Sequence, residues 1–243
     1  MKTKRIFIPG EEWLYYKIYC GVRTSDLIFT DALYPLIQSM MAQGWIDQWF
    51  FIRYNDPDYH IRIRFHYKDP NVQAQVMVAV QKALQGYVDE DIIYRVQLDT
   101  YIRELERYGN ENTITSEVLF HKESDMLLKA ISMVEDENLF ALFIIKSIDR
   151  LLEDFGYDLE TKLDFATRNR HGYWMEFKGN KHLTKQLNQK YSGIKAQVFS
   201  FMNERIEEYA PLDQLLDQKT ASTKELVQSI QNYLSGDLSL IHI

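Results

Sequence analysis

From Tyr59 to Tyr67 the chain alternates without exception. Tyr59, Ile61, Ile63, Phe65 and Tyr67 share one register, and His60, Arg62, Arg64 and His66 share the other. Side chains along a strand point to opposite faces with period two, so this stretch predicts a strand with one packed face and one that meets water or a ligand. The same patterning predicts strands over Trp13 to Cys20, Trp49 to Tyr54 and Ile92 to Tyr101. The cluster Asn55-Asp56-Pro57-Asp58 is a turn that makes the second strand and the Tyr59 strand a hairpin. Helical spacing predicts a helix over Ser25 to Gln43, opened by Thr24 or Ser25 and ended at Gly44. A second runs over Asn71 to Tyr87, with Val72, Val76, Ala79, Val80 and Ala83 along one side. The order is β-α-β-β-α-β, the ferredoxin-like arrangement.

After about Asn110 the texture becomes helical, with expected helices over Ser116 to Val134, Glu137 to Phe155, Lys181 to Tyr209 and Ser222 to Leu234. Gly156 is placed to stop the second of these and Pro211 to break the chain after the third. The expected fold is therefore α+β: a ferredoxin-like lobe over residues 1–110 packed on a mostly helical lobe over 111–243, the two forming one continuous domain.

Composition narrows the class. With 243 residues, 46% hydrophobic and 26% charged, the chain is long enough to bury its own core without disulfide or metal staples. The single cysteine, Cys20, has no internal partner, and no Cys/His spacing of the zinc-binding kind occurs, so no metal is expected. The start, MKTKRIFIPGEEW, has no apolar signal core, and no window approaches a transmembrane span. A cytoplasmic protein is expected. A net charge of −7 disfavours direct nucleic-acid binding, although a local basic cleft is compatible with it.

The polar register of the hairpin strand is the most unusual feature. Arg62 and Arg64 stand roughly 6.6 Å apart along a strand, where two unit charges repel by about 2.5 kcal/mol at an effective dielectric near 20. An anion belongs nearby. It is either a protein carboxylate, such as Glu104 or Glu106, or a ligand carboxylate gripped by the guanidinium fork. A second constellation, RELERYG, sets Glu104 and Arg107 on one side of a turn at i, i+3, the spacing of an ordinary surface ion pair. His121, His171 and His182 show no mutual metal-ligand spacing, and Ser124 has no nucleophile elbow. Neither a phosphate loop nor a dinucleotide fingerprint is present.

WFFIRYNDPDYHIRIRF, residues 49–65, resembles the hallmark W-F-F-I-R-Y-x-D-P-x-x-H-I-R-L-R-F of the C-terminal, glutamate-eliminating domain of class I lantibiotic dehydratases, shared with thiopeptide-type bacteriocin biosynthesis proteins. YIRELERYGN, residues 101–110, resembles the family's Y-x-R-E-x-E-R-Y-G-G. SEVLFHKESDMLL, residues 116–128, resembles its A-E-x-L-F-x-x-D-S segment, and the terminal SLIHI resembles the start of S-L-I-H-M-x-x-N-R. The likeness implies an enzyme, a lyase without metal or organic cofactor. Its substrate would be a precursor peptide glutamylated on Ser or Thr, from which it removes glutamate to leave dehydroalanine or dehydrobutyrine. By resemblance Arg64 and Arg107 hold the glutamyl carboxylates, His242 moves the proton, and Arg62 and Glu104 orient them. His60 and Arg53 join the substrate-binding group.

The sequence departs from the family pattern in three places. RYGN replaces RYGG, and the Asn-Arg part of the closing motif is missing after Ile243, with a shortened chain as one explanation. The large tRNA-dependent glutamylating domain is absent, which implies a separate partner enzyme. A homodimer is left open. Two competing readings remain: a pyridine synthase joining two dehydroamino acids by formal [4+2] cycloaddition, and a non-catalytic module binding a precursor peptide through an open strand edge.

Overall fold

A computed structural model describes residues 3–236. Six strands and nine α-helices are described there: β1 Ile6–Phe7, β2 Trp13–Cys20, α1 Thr24–Leu27, α2 Tyr34–Ala42, β3 Gln48–Asn55, β4 Tyr59–His66, α3 Gln73–Asp89, β5 Ile93–Asp99, β6 Tyr101–Ile102, α4 Leu105–Tyr108, α5 Asn112–Met133, α6 Glu137–Asp154, α7 Leu159–Glu176, α8 Lys181–Asn203 and α9 Ala210–Gly236. A π-helical stretch, Ile28–Leu33, joins α1 to α2, so the expected first helix is one continuous element with a widened middle turn. It ends at Gly44, whose φ of 69° is the left-handed conformation glycine adopts without strain.

Four strands form an antiparallel sheet in the order β3-β4-β2-β5. Register explains the alternation seen in the sequence. Leu14, Tyr16 and Ile18 of β2 pair with Phe65, Ile63 and Ile61 of β4, and all six lie in the main core. Ile28, Phe29, Leu33 and Ile37 cover that face together with Val76, Val80 and Leu84 of α3. Burying each such side chain contributes about 1.5–3 kcal/mol. The opposite face is not simply solvated, as period-two reasoning alone suggests: Phe7, Trp13, Tyr15, Phe50 and Tyr101 make a second buried aromatic cluster on it. Tyr101 reaches that cluster because β6 leaves the main sheet and pairs with β1.

The chain divides into two compact units. One comprises the chain up to Met133 together with the stretch that starts at Gln228; the other is Val134–Val227. The texture change near residue 110 thus falls inside the first unit, just ahead of α5. In the second unit, α6 is tied to α9 by Lys146–Asp213 at 2.7 Å, Arg150–Asp217 at 3.1 Å and Asp154–Lys219 at 2.8 Å. Two helical expectations change here. The helix from Lys181 ends at Asn203, and Pro211 sits in the first turn of α9 instead of breaking the chain, because a helix's first turn needs no proline N–H. Residues 159–176 form a helix for which the sequence raised no expectation, and none of its residues is buried.

Among the described residues, no helix is long and apolar enough to cross a membrane.

Candidate functional site

Arg64 stands near the middle of the sheet, directly opposite Tyr15 on β2 and Phe50 on β3. Its guanidinium carbon lies 4.3 Å from the Tyr15 ring centroid and 5.0 Å from those of Phe50 and Tyr101. Rings on three sides leave the residue 9% exposed. They attract the cation through their quadrupoles but accept no strong hydrogen bond. Nε and Nη1 are buried without a hydrogen-bond partner. Burial, reinforced by the charge of Arg62 and opposed by that of Glu104, holds its pKa below the ordinary arginine value.

Arg62, one pleat away, is engaged differently. Its Nε–H donates to His60 Nε2 at 2.9 Å, and its guanidinium stacks 3.5 Å from the Tyr54 ring centroid. His60 Nδ1 lies 2.8 Å from the Asp58 carbonyl, so the proton is on Nδ1 and Nε2 accepts from Arg62. Burial, with Arg62, Lys17 and Arg95 adding to it, holds the His60 pKa below the ordinary histidine value. His60 therefore favours the neutral form and orients Arg62 from behind, while its other side stacks on Tyr19 at 4.6 Å. His66, at the far end of the strand, turns to Asp47 at 2.5 Å.

The carboxylates proposed from sequence as neutralisers do not reach the strand arginines. Glu106 pairs with Arg5. Glu104 pairs with Arg107 at 3.3 Å, the expected i, i+3 contact, and both side chains are more than half exposed. Asp99 goes to Lys17 at 2.5 Å. Among the described residues, no carboxylate forms an ion pair with Arg62 or Arg64. The Glu104 charge nevertheless acts on Arg64. Tyr108, whose hydroxyl pKa is raised by burial, feels the charges of Arg107, Glu104 and Arg64 together. The turn that presents this pair ends at Gly109, with φ 80°, where any Cβ would collide with the Tyr233 ring. His60, Arg62 and Arg64 share one face of β4, and Glu104 and Arg107 sit on the turn that follows β6 in the same unit.

Arg53 does not join them. In antiparallel register it pairs with Ile61, so its side chain leaves by the core face and meets Asp26 and the Phe29 ring. His242 lies outside the described residues. The sequence reading missed the aromatic walls and the buried ion pair beside them. In that pair Arg103 grips Glu117 through Nε at 2.7 Å and Nη2 at 2.6 Å. Alternation over Trp13 to Cys20 carried the signal for Tyr15; no local pattern foretold Tyr101 or Glu117. A separate cavity of about 610 Å³ lies in the second unit, lined by Trp174, Lys181, Lys185 and neighbours. None of the candidate site residues lines it.

Such a site can bind an anion in a dry, aromatic setting and can stabilise charge that develops on a carboxylate or enolate. Comparison with known proteins shows what the chain is similar to. Subtilin biosynthesis protein SpaB of Bacillus subtilis is 27% identical over 191 residues, 74% of this chain but only 18% of SpaB. The crystal structure of the tRNA-dependent lantibiotic dehydratase MibB from Microbispora sp. 107891 matches 92% of this chain and 26% of its own, with a TM-score of 0.54 at 16% identity. The pyridine synthase TbtD from thiomuracin biosynthesis matches 91% of this chain and 89% of its own, also with a TM-score of 0.54, at 11% identity. These two structures show a shared fold. Residues 13–243 match the family described as lantibiotic biosynthesis dehydratase C-term, and the chain belongs to that family.

Proposed function

We propose that this protein is an elimination enzyme of lanthipeptide- or thiopeptide-type bacteriocin maturation, acting on a precursor peptide that carries glutamyl esters on Ser or Thr. In the step proposed, a base takes the Cα proton, the released electron pair forms the Cα=Cβ bond, and the Cβ–O bond breaks. Glutamate departs as a carboxylate, leaving dehydroalanine or dehydrobutyrine. The observation that carries the reading is Arg64: a buried cation with two guanidinium nitrogens unspent and, among the described residues, no carboxylate paired with it. A buried charge normally has a partner, and a substrate carboxylate is the partner this reaction supplies.

Arg64 and Arg107 are assigned to the glutamyl carboxylates, Arg62 and Glu104 to their orientation, and His60 to holding Arg62. His242 is assigned the proton on the strength of the sequence motif. Glutamylation is assigned to a separate tRNA-dependent enzyme, and the site of action to the cytoplasm. The strand order and the two crossovers, 24–42 and α3, support a ferredoxin-like reading of the sheet.

Fold alone does not separate elimination from cycloaddition, since MibB and TbtD match equally well. The residues favour elimination: a cycloaddition has no glutamyl carboxylate for Arg64 and Arg107 to hold. Mass spectrometry of a synthetic leader-linked glutamyl-Ser peptide after incubation with the protein tests the reading. Loss of glutamate with appearance of dehydroalanine, reduced at least tenfold in Arg107→Ala, is the expected result. An untouched ester, together with ring formation from a peptide bearing two dehydroalanines, would replace elimination with pyridine synthesis.

A further inference from the structure

The SEVLF segment of α5 has no part in the reading above. Its Glu117 is 2% exposed and accepts three hydrogen bonds. Tyr101 Oη donates at 2.6 Å, and Arg103 donates twice, through Nε and Nη2. The third nitrogen of Arg103, Nη1, donates to the Lys4 carbonyl at 3.0 Å. Every nitrogen of this guanidinium has a partner within the fold.

Tyr101 links that network to Arg64. Its ring is one of the three walls around the Arg64 guanidinium and is itself held by Phe7 at 5.9 Å, Trp13 at 5.3 Å and Phe50 at 6.0 Å. Because its hydroxyl is bound to Glu117, the ring meets Arg64 as an apolar wall. Burial first, then the Glu117 charge, push the phenol pKa up, so Tyr101 stays a neutral donor. The carboxylate, occupied by Arg103 and Tyr101, does not pair with Arg64. A buried anion thus lies behind one wall of an unpaired buried cation without neutralising it.

We infer that Glu117 is a positioning residue: by fixing the Tyr101 hydroxyl against Arg103, it holds the Tyr101 ring on Arg64 and leaves that guanidinium's free N–H groups for the substrate carboxylate. The inference rests on the elimination reading of Arg64. It differs from a purely structural role, in which Glu117 only neutralises Arg103 and the Tyr101 hydroxyl is incidental.

Two variants separate these roles. Tyr101→Phe keeps the ring and removes only the hydroxyl. Glu117→Gln keeps an acceptor for Tyr101 and removes the charge opposite Arg103. The readouts are KM and kcat for glutamate release from the glutamyl-Ser peptide, and the inhibition constant of free L-glutamate. Tyr101→Phe, folded by circular dichroism, is expected to raise KM and the inhibition constant about tenfold with kcat within about threefold, the loss of one well-aligned contact. In an Arg64→Met background the same change should add nothing to the inhibition constant, as expected for coupled neighbours. Glu117→Gln, which keeps the acceptor for the Tyr101 hydroxyl, should lower stability while leaving KM within about threefold of wild type. If it fails to fold, Tyr101→Phe decides alone. Wild-type KM and inhibition constant in a folded Tyr101→Phe, with Arg64→Met impaired, would overturn the positioning role and leave elimination standing. A wild type that releases no glutamate would overturn both.

Discussion

Arg64 and Arg103 are both buried arginines of the first unit, 9% and 8% exposed, and both lie against aromatic rings. There the likeness ends. Arg103 makes a bidentate bridge to Glu117 and spends its remaining nitrogen on a carbonyl, whereas Arg64 leaves Nε and Nη1 with nothing. Taking a guanidinium out of water costs several kcal/mol unless a partner compensates. Among the described residues, one arginine has that partner and the other does not. The paired residue is explained by the structure alone; the unpaired one calls for a ligand.

Breaking the paired side should have the largest effect. Glu117→Ala strands the Arg103 charge and is expected to destabilise the protein by about 3–5 kcal/mol, read from urea denaturation. On the unpaired side the sign should reverse. Arg64→Met removes a cation that the fold does not satisfy, so stability should hold or rise by up to about 1–3 kcal/mol. Glutamate release should meanwhile fall by about 10²–10³, the loss typical of a preorganised charge-stabilising group. If both arginine sites behaved alike in the denaturation series, the contrast would collapse.

A smaller effect concerns pH. Burial depresses the pKa values of His60 and His121, the latter despite a hydrogen bond between Nδ1 and the Trp49 carbonyl at 3.0 Å. The unfolded chain takes up these protons near about pH 6.5 while the folded chain resists them. Their contribution to stability is therefore complete above that pH and lost progressively as pH falls toward the depressed folded values. Urea midpoints measured from pH 7.5 down to 5.5 should decline, and His121→Gln should flatten the decline. The smallest change in stability belongs to the exposed Glu104–Arg107 pair. Arg107→Ala should alter stability by under about 1 kcal/mol yet reduce glutamate release at least tenfold, separating a surface bridge from a substrate contact.

The unpaired side of this contrast was partly legible in the sequence, and the paired side was not. Alternation over Tyr59 to Tyr67 placed His60, Arg62 and Arg64 on one face, and spacing paired Glu104 with Arg107, because period and local contact are properties of a single element. Strand Trp13–Cys20 and helix Glu137–Asp154 lie close to where the pattern put them. What escaped depends on register or on distant segments. Arg53 was grouped with the site from its neighbours in sequence, yet pairing with Ile61 sends it to the other face. Tyr101 meets Arg64 only because β6 leaves the main sheet, and Glu117 meets Tyr101 only through the packing of α5. Helix α7 escaped for another reason: most of its apolar residues, among them Leu159 and Leu163, are exposed, so no buried stripe marks it.

The most direct test of the central claim, that Arg64 is a cation reserved for a ligand anion, is a thermal melt of wild type and Arg64→Met with and without L-glutamate. Binding to the folded state alone raises the melting temperature with ligand concentration. The account predicts a glutamate-dependent rise in wild type, none in Arg64→Met, and an unliganded Arg64→Met at least as stable as wild type. An Arg64→Met that melts well below wild type, with glutamate shifting neither, would mean that Arg64 is a structural cation like Arg103.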